Sequence, residues 1–149
     1  MPKASVKRLI ECNKKQLINL VLDIESYSLF IPYCLNSKVY ERKEKEDVIS
    51  IIADLTIGKG PFKATYKSDV KYYKDKDTIY VTNIEGPLKY LDNKWIFIEK
   101  KNFTEISFII DFEIENKFLN IVMSKSFQYG LDKIADSFQK RANDLFKGK

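Results

Sequence analysis

The chain of 149 residues is predicted to be an α+β protein, with an antiparallel sheet and one long helix. Two patterns predict this class. From about residue 36 to residue 114, apolar and polar residues alternate with the period of two expected for strands. In the last third, apolar residues recur every three or four positions, as on a helix that faces a core. Because the strands are grouped apart from the helices, we expect the sheet to be antiparallel.

The N-terminal region predicts one strand followed by two short helical segments. Residues 3–12 alternate and form the strand, and residues 14–23 form a helix. Asn13 is placed as the N-cap of that helix, and Gln16, three residues later, completes a capping box. Residues 26–34 form a short aromatic-rich turn that ends at its proline.

The middle of the chain is predicted as strands separated by turn residues. Residues 58–61 form either a turn or a sharp bend in a long strand. Asp92 and Asn93 are interpreted as a turn that precedes the next strand. The predicted strands are 48–57, 62–73, 78–84, 91–100 and 103–114, with a further strand after residue 36.

The long helix is predicted over residues 118–146 and would measure about 40 Å at 1.5 Å per residue. Its opposite face is charged, so it should lie on protein. A long antiparallel sheet is expected to curl, and the helix to cover its concave face. An apolar cavity between the two is the natural consequence.

Composition narrows the possible functions. The chain has no histidine, which excludes His-based acid/base catalysis and His-bearing zinc sites. Its two cysteines, Cys12 and Cys34, can form neither a four-cysteine metal site nor a disulfide framework. Neither a signal peptide nor a membrane-spanning segment is visible. We therefore expect one domain over residues 1–149, a cytoplasmic location, no metal and no enzymatic activity.

Three stretches carry a family resemblance. Residues 27–34 read YSLFIPYC, residues 85–97 read EGPLKYLDNKWIF, and residues 110–116 read IDFEIEN. Together they resemble the coenzyme-Q-binding / ribosome-association-toxin family of the START-like, helix-grip superfamily, labelled polyketide cyclase or lipid-transport-like. The family usually has other residues at four of these positions, Pro for Ser28, Leu for Ile31, Phe for Leu88 and Gly for Asn93.

The resemblance implies a curved antiparallel sheet of six to seven strands around the long C-terminal helix, with two short helices after the first strand. It implies non-catalytic binding of ubiquinone or a similar isoprenoid lipid in a hydrophobic tunnel, supporting respiratory electron transport as a chaperone or carrier. This role is compatible with transient contact with the surface of the inner membrane. The alternative that it implies is association with the large (50S) ribosomal subunit, which would block subunit joining. Ubiquinone is then a bound ligand and not a cofactor, and DNA is not an expected partner.

The candidate ligand-binding residues fall into three groups, and for each the alternative is ordinary core packing. An aromatic lip would surround the pocket entrance, one strand face would line the tunnel, and a helix stripe would cover it. Gly130 in that stripe would either permit close contact with the sheet or leave room for a ligand. The three groups are the lip Tyr27, Phe30, Pro32 and Tyr33, the strand pair Trp95 and Phe97, and the stripe Met123, Phe127, Gly130, Leu131 and Ile134.

The charge pattern has two interpretations. The net charge is 26 − 21 = +5, carried mostly by lysine. Lys63, Lys67 and Lys71 share one face of a predicted strand and, like Arg8, would either contact RNA or form a solvated surface.

Overall fold

The computed structural model describes residues 3–59, 62–86 and 88–146, with the backbone alone at residues 3, 59, 62, 114 and 118–127. Within this part the chain forms seven strands, two α-helices and one 3₁₀ segment. The strands are β1 (Lys3–Ile10), β2 (Cys34–Glu44), β3 (Val48–Lys59), β4 (Phe62–Tyr73), β5 (Thr78–Glu85), β6 (Leu88–Glu99) and β7 (Thr104–Ile114). The helices are α1 (Lys14–Leu22) and α2 (Lys117–Phe146), and the 3₁₀ segment spans Ile24–Leu29.

The strands form one antiparallel sheet in the order β1-β7-β6-β5-β4-β3-β2. Each neighbouring pair after β1 is a sequential hairpin, while β1 joins the far edge beside β7. This arrangement confirms the predicted fold class, the two short helical segments after the first strand and the long C-terminal helix. The antiparallel pairing of β3 with β4 extends to Lys59 opposite Phe62, so the two strands form a hairpin and not one bent strand; Gly58 belongs to β3, and residues 60 and 61 lie outside the described residues.

One local prediction was wrong. Asp92 and Asn93 do not form a turn but lie inside β6. Asn93 pairs with Val81 on one side and with Ile110 on the other, so backbone ladders on both sides outweigh the local turn preference of an Asp-Asn pair. The residue therefore belongs to the buried alternation of its strand, with Leu91 before it and Trp95 after it.

The predicted start of α1 is confirmed in atomic detail. The Asn13 side chain accepts a hydrogen bond from the Gln16 amide at 2.8 Å, and the Gln16 side chain accepts one from the Asn13 amide at 3.1 Å. This capping box satisfies two amide groups that the first turn would otherwise leave unpaired. It fixes where the chain leaves β1 and enters the helix.

The core lies between the concave face of the sheet and the helices. Leu17, Ile51 and Ile79 are fully buried, and Leu131 and Phe138 of α2 are 2% exposed. α2 is also attached along β1 by polar contacts. Arg8 pairs with Asp136 at 3.1 Å and so bridges the sheet and the helix, a contact that was not predicted from the sequence. Among the described residues, no helix is both long enough and apolar enough to cross a membrane.

Two glycines lie in contrasting environments. A Cβ at Gly130, within α2, would have no neighbouring atom within 4 Å. An alanine at this position would therefore meet no neighbouring atom, and which of the two roles proposed for this glycine applies stays a prediction. Gly86 has a φ of +132°, and a Cβ there would lie 2.8 Å from the Tyr66 Cβ. Only a residue without a side chain fits this position.

The capping box predicts a stability loss on substitution. We expect Asn13→Ala to lower the free energy of unfolding by about 1 kcal/mol, because the Gln16 amide loses its acceptor. The matched control is Asn19→Ala, an exposed position in the same helix, where alanine should be neutral or slightly stabilising. Urea denaturation of both variants measures the difference, and equal stabilities would contradict the assigned cap.

The glycine environments predict opposite effects of one substitution. Gly130→Ala should stabilise the protein by about 0.5–1 kcal/mol, because alanine favours the helix and meets open space. Gly86→Ala should destabilise it by more than about 1 kcal/mol, because of its positive φ and the nearby Tyr66. Denaturant midpoints test both; a destabilised Gly130→Ala would show that the space around residue 130 is filled.

Candidate functional site

The concave face of the sheet and the overlying half of α2 form an aromatic cluster. The Trp95 ring lies 4.2 Å from that of Phe108 and 5.2 Å from that of Phe138, between ring centroids. Trp95 and Phe97 share the buried face of β6, as predicted, and are 7% and 3% exposed. Such edge and tilted contacts are favourable beyond the area that they bury.

The predicted lip residues divide into two environments. Tyr27 and Phe30 pack edge-to-face against Phe138 of α2, with centroids at 5.5 Å and 5.2 Å. The Tyr27 hydroxyl donates to the Val21 carbonyl, so a ligand carbonyl would have to displace this bond. Pro32 is half-buried, and Tyr33 is 47% exposed.

Tyr33 has an unusual backbone conformation. Its φ of +68° lies in the left-handed region, which bulky side chains seldom occupy. Its carbonyl accepts a hydrogen bond from the Gly58 amide at 3.0 Å, which ties the turn before β2 to the end of β3. The turn therefore holds the Tyr33 side chain at the surface of this end of the sheet.

The predicted helix stripe is described in part. Leu131 is buried and Ile134 is half-buried toward the sheet. Gly130 borders open space. The side chains of Met123 and Phe127 lie outside the described residues.

The space between sheet and helix is narrow where it is described. A cavity of about 10 Å³ is lined by Trp95 and Phe108 of the sheet and by Ile134 and Phe138 of α2. This is about the smallest volume that holds one water molecule. A lipid would enter this region only if α2 and the sheet moved apart.

A second cavity, of about 250 Å³, lies between the helical segments and the β2–β3 edge. Its lining is mixed: Val39 and Ile51 are apolar, whereas Asp23, Glu25 and Arg42 are charged. Arg42 is on the concave side because it pairs with Ile51. This cleft is larger than the aromatic space but lies away from Trp95 and the stripe of α2.

Burial keeps the nucleophilic and phenolic groups of the concave side in their neutral forms. Burial raises the pKa of Tyr66 to about 12, with a smaller contribution from Cys34, and it also raises the pKa of Tyr27. The pKa of Cys34 is raised by burial, and that of Cys12 is raised to about 11 for the same reason. A thiol with a raised pKa is a poor nucleophile at neutral pH. Among the described residues, no cluster of three or more His, Cys, Asp or Glu side chains is placed to hold a metal ion.

Phe138, which continues the predicted helix stripe, is the ring that joins the lip to the strand pair. Two further residues of this region were absent from the predicted site. Tyr66 lies opposite Leu55 in β3 on the concave side, in line with the buried Ser68 and Val70. Asn93 is 6% exposed between Leu91 and Trp95, and the alternation of β6 alone identifies its face.

Asn93 Oδ1 is buried and accepts no hydrogen bond from the described residues. An orphaned buried acceptor costs about 1–3 kcal/mol of stability. This is the chemical feature of the concave face that core packing does not explain.

Two relatives resemble the chain over most of its length. It is 29% identical over 143 residues to the ribosome association toxin RatA of Rickettsia prowazekii, covering 94% of this chain and 95% of the relative. It is 30% identical over 134 residues to the mitochondrial coenzyme Q-binding protein COQ10 of Dictyostelium discoideum, covering 88% of this chain and 64% of the relative.

A solved structure has the same fold as this chain, and a family model matches most of its sequence. The structure of a START superfamily protein from Mycobacterium smegmatis superposes with a TM-score of 0.80 at 14% identity, covering 96% of this chain and 98% of that protein. Residues 13–139 match the family model described as polyketide cyclase / dehydrase and lipid transport. The chain therefore belongs to this START-like family, as the three sequence motifs predicted.

Proposed function

We propose that the protein binds ubiquinone or a similar isoprenoid lipid between the sheet and α2, without catalysis, as a chaperone or carrier for respiratory electron transport. The observation that carries this proposal is the aromatic and aliphatic lining of the concave face, centred on Trp95, Phe108 and Phe138. Each CH₂ that a lipid buries there contributes about 0.8 kcal/mol. A few isoprenoid carbons thus supply useful affinity without any charged contact.

Binding in this position requires the helix to separate from the sheet, and the polar contacts that oppose separation are weak. Gln128 donates to the Ser5 carbonyl at 3.2 Å, and Gln139 donates to the Leu9 carbonyl at 3.3 Å. Both contacts are exposed, as is the Asp136 carboxylate that pairs with Arg8. Exposed ion pairs contribute about 0–1 kcal/mol. The larger cost is lost apolar contact, which a bound lipid replaces.

The neutral state of the concave-side groups supports binding rather than catalysis. Burial raises the pKa of Cys34 and of Tyr66, which disfavours a thiolate or a phenolate at neutral pH. The family name covers cyclases as well as lipid transport, so membership alone does not choose between them. The relative named as a coenzyme Q-binding protein supports lipid binding rather than cyclase activity.

The exposed apolar side chains at the start of β2 support transient contact with a membrane surface. Leu29 is 72% exposed, Leu35 is 54% exposed, and Ile57, which pairs with Cys34, is 37% exposed. Together with Tyr33 they form an apolar rim at the end of the sheet. A lipid carrier has to meet the bilayer to load and unload its ligand, and this rim is suited to that contact.

Organic extraction of protein purified from a quinone-producing host tests the proposal. We expect an isoprenoid quinone to be identified by mass spectrometry at a stoichiometric ratio. An empty extract, repeated after incubation with added ubiquinone, would contradict the proposal.

A matched pair of substitutions tests where the ligand lies. Ile134→Trp fills the space beside Trp95 and should lower quinone occupancy at least several-fold, because it competes with the ligand for volume. Ile98→Trp makes the same change at a position 48% exposed and should leave occupancy unchanged. Circular dichroism confirms that both variants fold, and equal occupancy in the two would exclude the proposed cavity.

Association with the large ribosomal subunit is the second candidate function, favoured by the resemblance to the ribosome association toxin. Lys63, Lys67 and Lys71 lie on the outer face of β4, as predicted. However, Lys67 pairs with Glu85 at 3.2 Å and Lys71 with Asp69 at 3.0 Å. These pairs reduce the positive potential that RNA binding would use.

Co-sedimentation with purified large subunits over a salt series tests this candidate. RNA binding through the β4 lysines should weaken steeply with salt and be lost when Lys63, Lys67 and Lys71 are changed to Glu. The control changes Lys100 and Lys101 to Glu in the exposed turn before β7. Sedimentation unaffected by salt and by the β4 changes would contradict an electrostatic contact through this face.

A further inference from the structure

Asn93 is a buried amide in an apolar part of the concave face. It is 6% exposed and lies in the middle of β6. Its ladder partners on the two sides are Val81 and Ile110. The residues before and after it on the same face are Leu91 and Trp95, so its neighbours along the strand and across both ladders are apolar.

Each of the other four buried polar residues makes a hydrogen bond, whereas the buried Nε of the partly exposed Arg141 has no hydrogen-bond partner among the described residues and its guanidinium lies over the Phe30 ring. These four side chains carry hydroxyl groups, and each hydroxyl forms its hydrogen bond with another group of the protein. They are Thr56 with the Thr65 hydroxyl at 2.8 Å, Ser68 with the Ala53 carbonyl at 3.3 Å, Thr78 with the Lys76 carbonyl at 2.8 Å, and Thr104 with the Cys12 carbonyl at 2.8 Å. Asn93 Oδ1 differs from them in receiving no hydrogen bond from a described residue.

The segment of α2 at the same level of the sheet contains a glycine. Gln128 of α2 bonds to Ser5, which pairs with Ile109, and Ile109 pairs with Lys94 beside Asn93. The helix segment next to residue 128 is therefore level with Asn93. Gly130 belongs to this segment, and no atom lies within 4 Å of the position of its missing Cβ.

We propose that Asn93 is the polar recognition group of the lipid cavity, and that its Oδ1 accepts a hydrogen bond from a hydroxyl of the bound ligand. This inference rests on the proposed function and narrows its ligand class. The preferred ligand carries a hydrogen-bond donor on its head group. Among quinone-type lipids, that ligand is the reduced quinol.

The preference follows from the chemistry of the two redox forms. The ring oxygens of a quinone only accept hydrogen bonds, whereas those of a quinol also donate. In the orientation that the structure gives the amide, the buried unpaired atom is the acceptor Oδ1, which pairs with a quinol hydroxyl and offers no donor to a quinone oxygen. A site whose buried polar atom lacks its partner disfavours the ligand that cannot supply one.

The preference also has an electrochemical consequence. If the quinol binds about tenfold more tightly than the quinone, binding raises the midpoint potential of the two-electron couple by about 30 mV. The same preference is thus measurable as a ratio of affinities and as a shift of the potential.

The experiment compares the two redox forms of one probe. Ubiquinone with two isoprenoid units is titrated into the protein, and its quinol is titrated under anaerobic conditions with excess dithionite, with Trp95 fluorescence as the signal. We expect wild type to prefer the quinol about three- to tenfold, the range that one neutral hydrogen bond supplies. Asn93→Leu should abolish the preference while raising the thermal midpoint, because leucine needs no partner. Asn93→Val is the second variant if leucine does not fit.

Ser68→Ala is the matched control. It removes a buried polar group from the same face, but one whose hydroxyl already bonds to Ala53. The quinol preference should survive it. A wild type that binds both forms equally, or an Asn93→Leu variant that keeps the preference, would overturn this inference and leave the proposed function standing. A wild type that binds neither form would overturn the proposed function as well.

Discussion

The contact of Phe138 with three other aromatic rings is the constraint on which the rest of the structure depends. Its ring meets Trp95 from the sheet, and Phe30 and Tyr27 from the segment after α1. One side chain of α2 thereby joins the sheet, the helical segment and the long helix. Because these contacts are apolar and directional, they set both the position of α2 and the width of the space beneath it.

The same contact would have to open for the proposed ligand to enter. The described space beside Phe138 is about 10 Å³, so the core is close to filled when no lipid occupies it. The helix is otherwise attached to β1 by exposed polar groups such as Arg8 and Gln139. Separating α2 from the sheet therefore costs mainly the free energy of the apolar contacts that are lost. In the proposed function a lipid tail would restore contact of the same kind and so offset that cost.

Much of the fold was predictable because it depends on local patterns. Alternation identified the buried faces, and the capping box of Asn13 marked the start of α1. Cavity size was not predictable, because the pattern that makes Leu131 or Ile134 face the sheet is the same for a filled core and for a tunnel. The role of Tyr27 was likewise hidden. Its hydroxyl bonds to Val21, a partner that only the folded chain brings close.

At Asn93 the local conformational preference and the tertiary structure favour different conformations. Its amide favours a turn by local preference, yet the ladders of β5 and β7 place it in a buried strand. A valine or leucine there would satisfy strand preference and burial together. The orphaned oxygen instead costs about 1–3 kcal/mol in the unliganded protein. In the proposed complex a ligand hydroxyl would remove this cost only on binding, so the amide would convert a local loss of stability into selectivity for the head group.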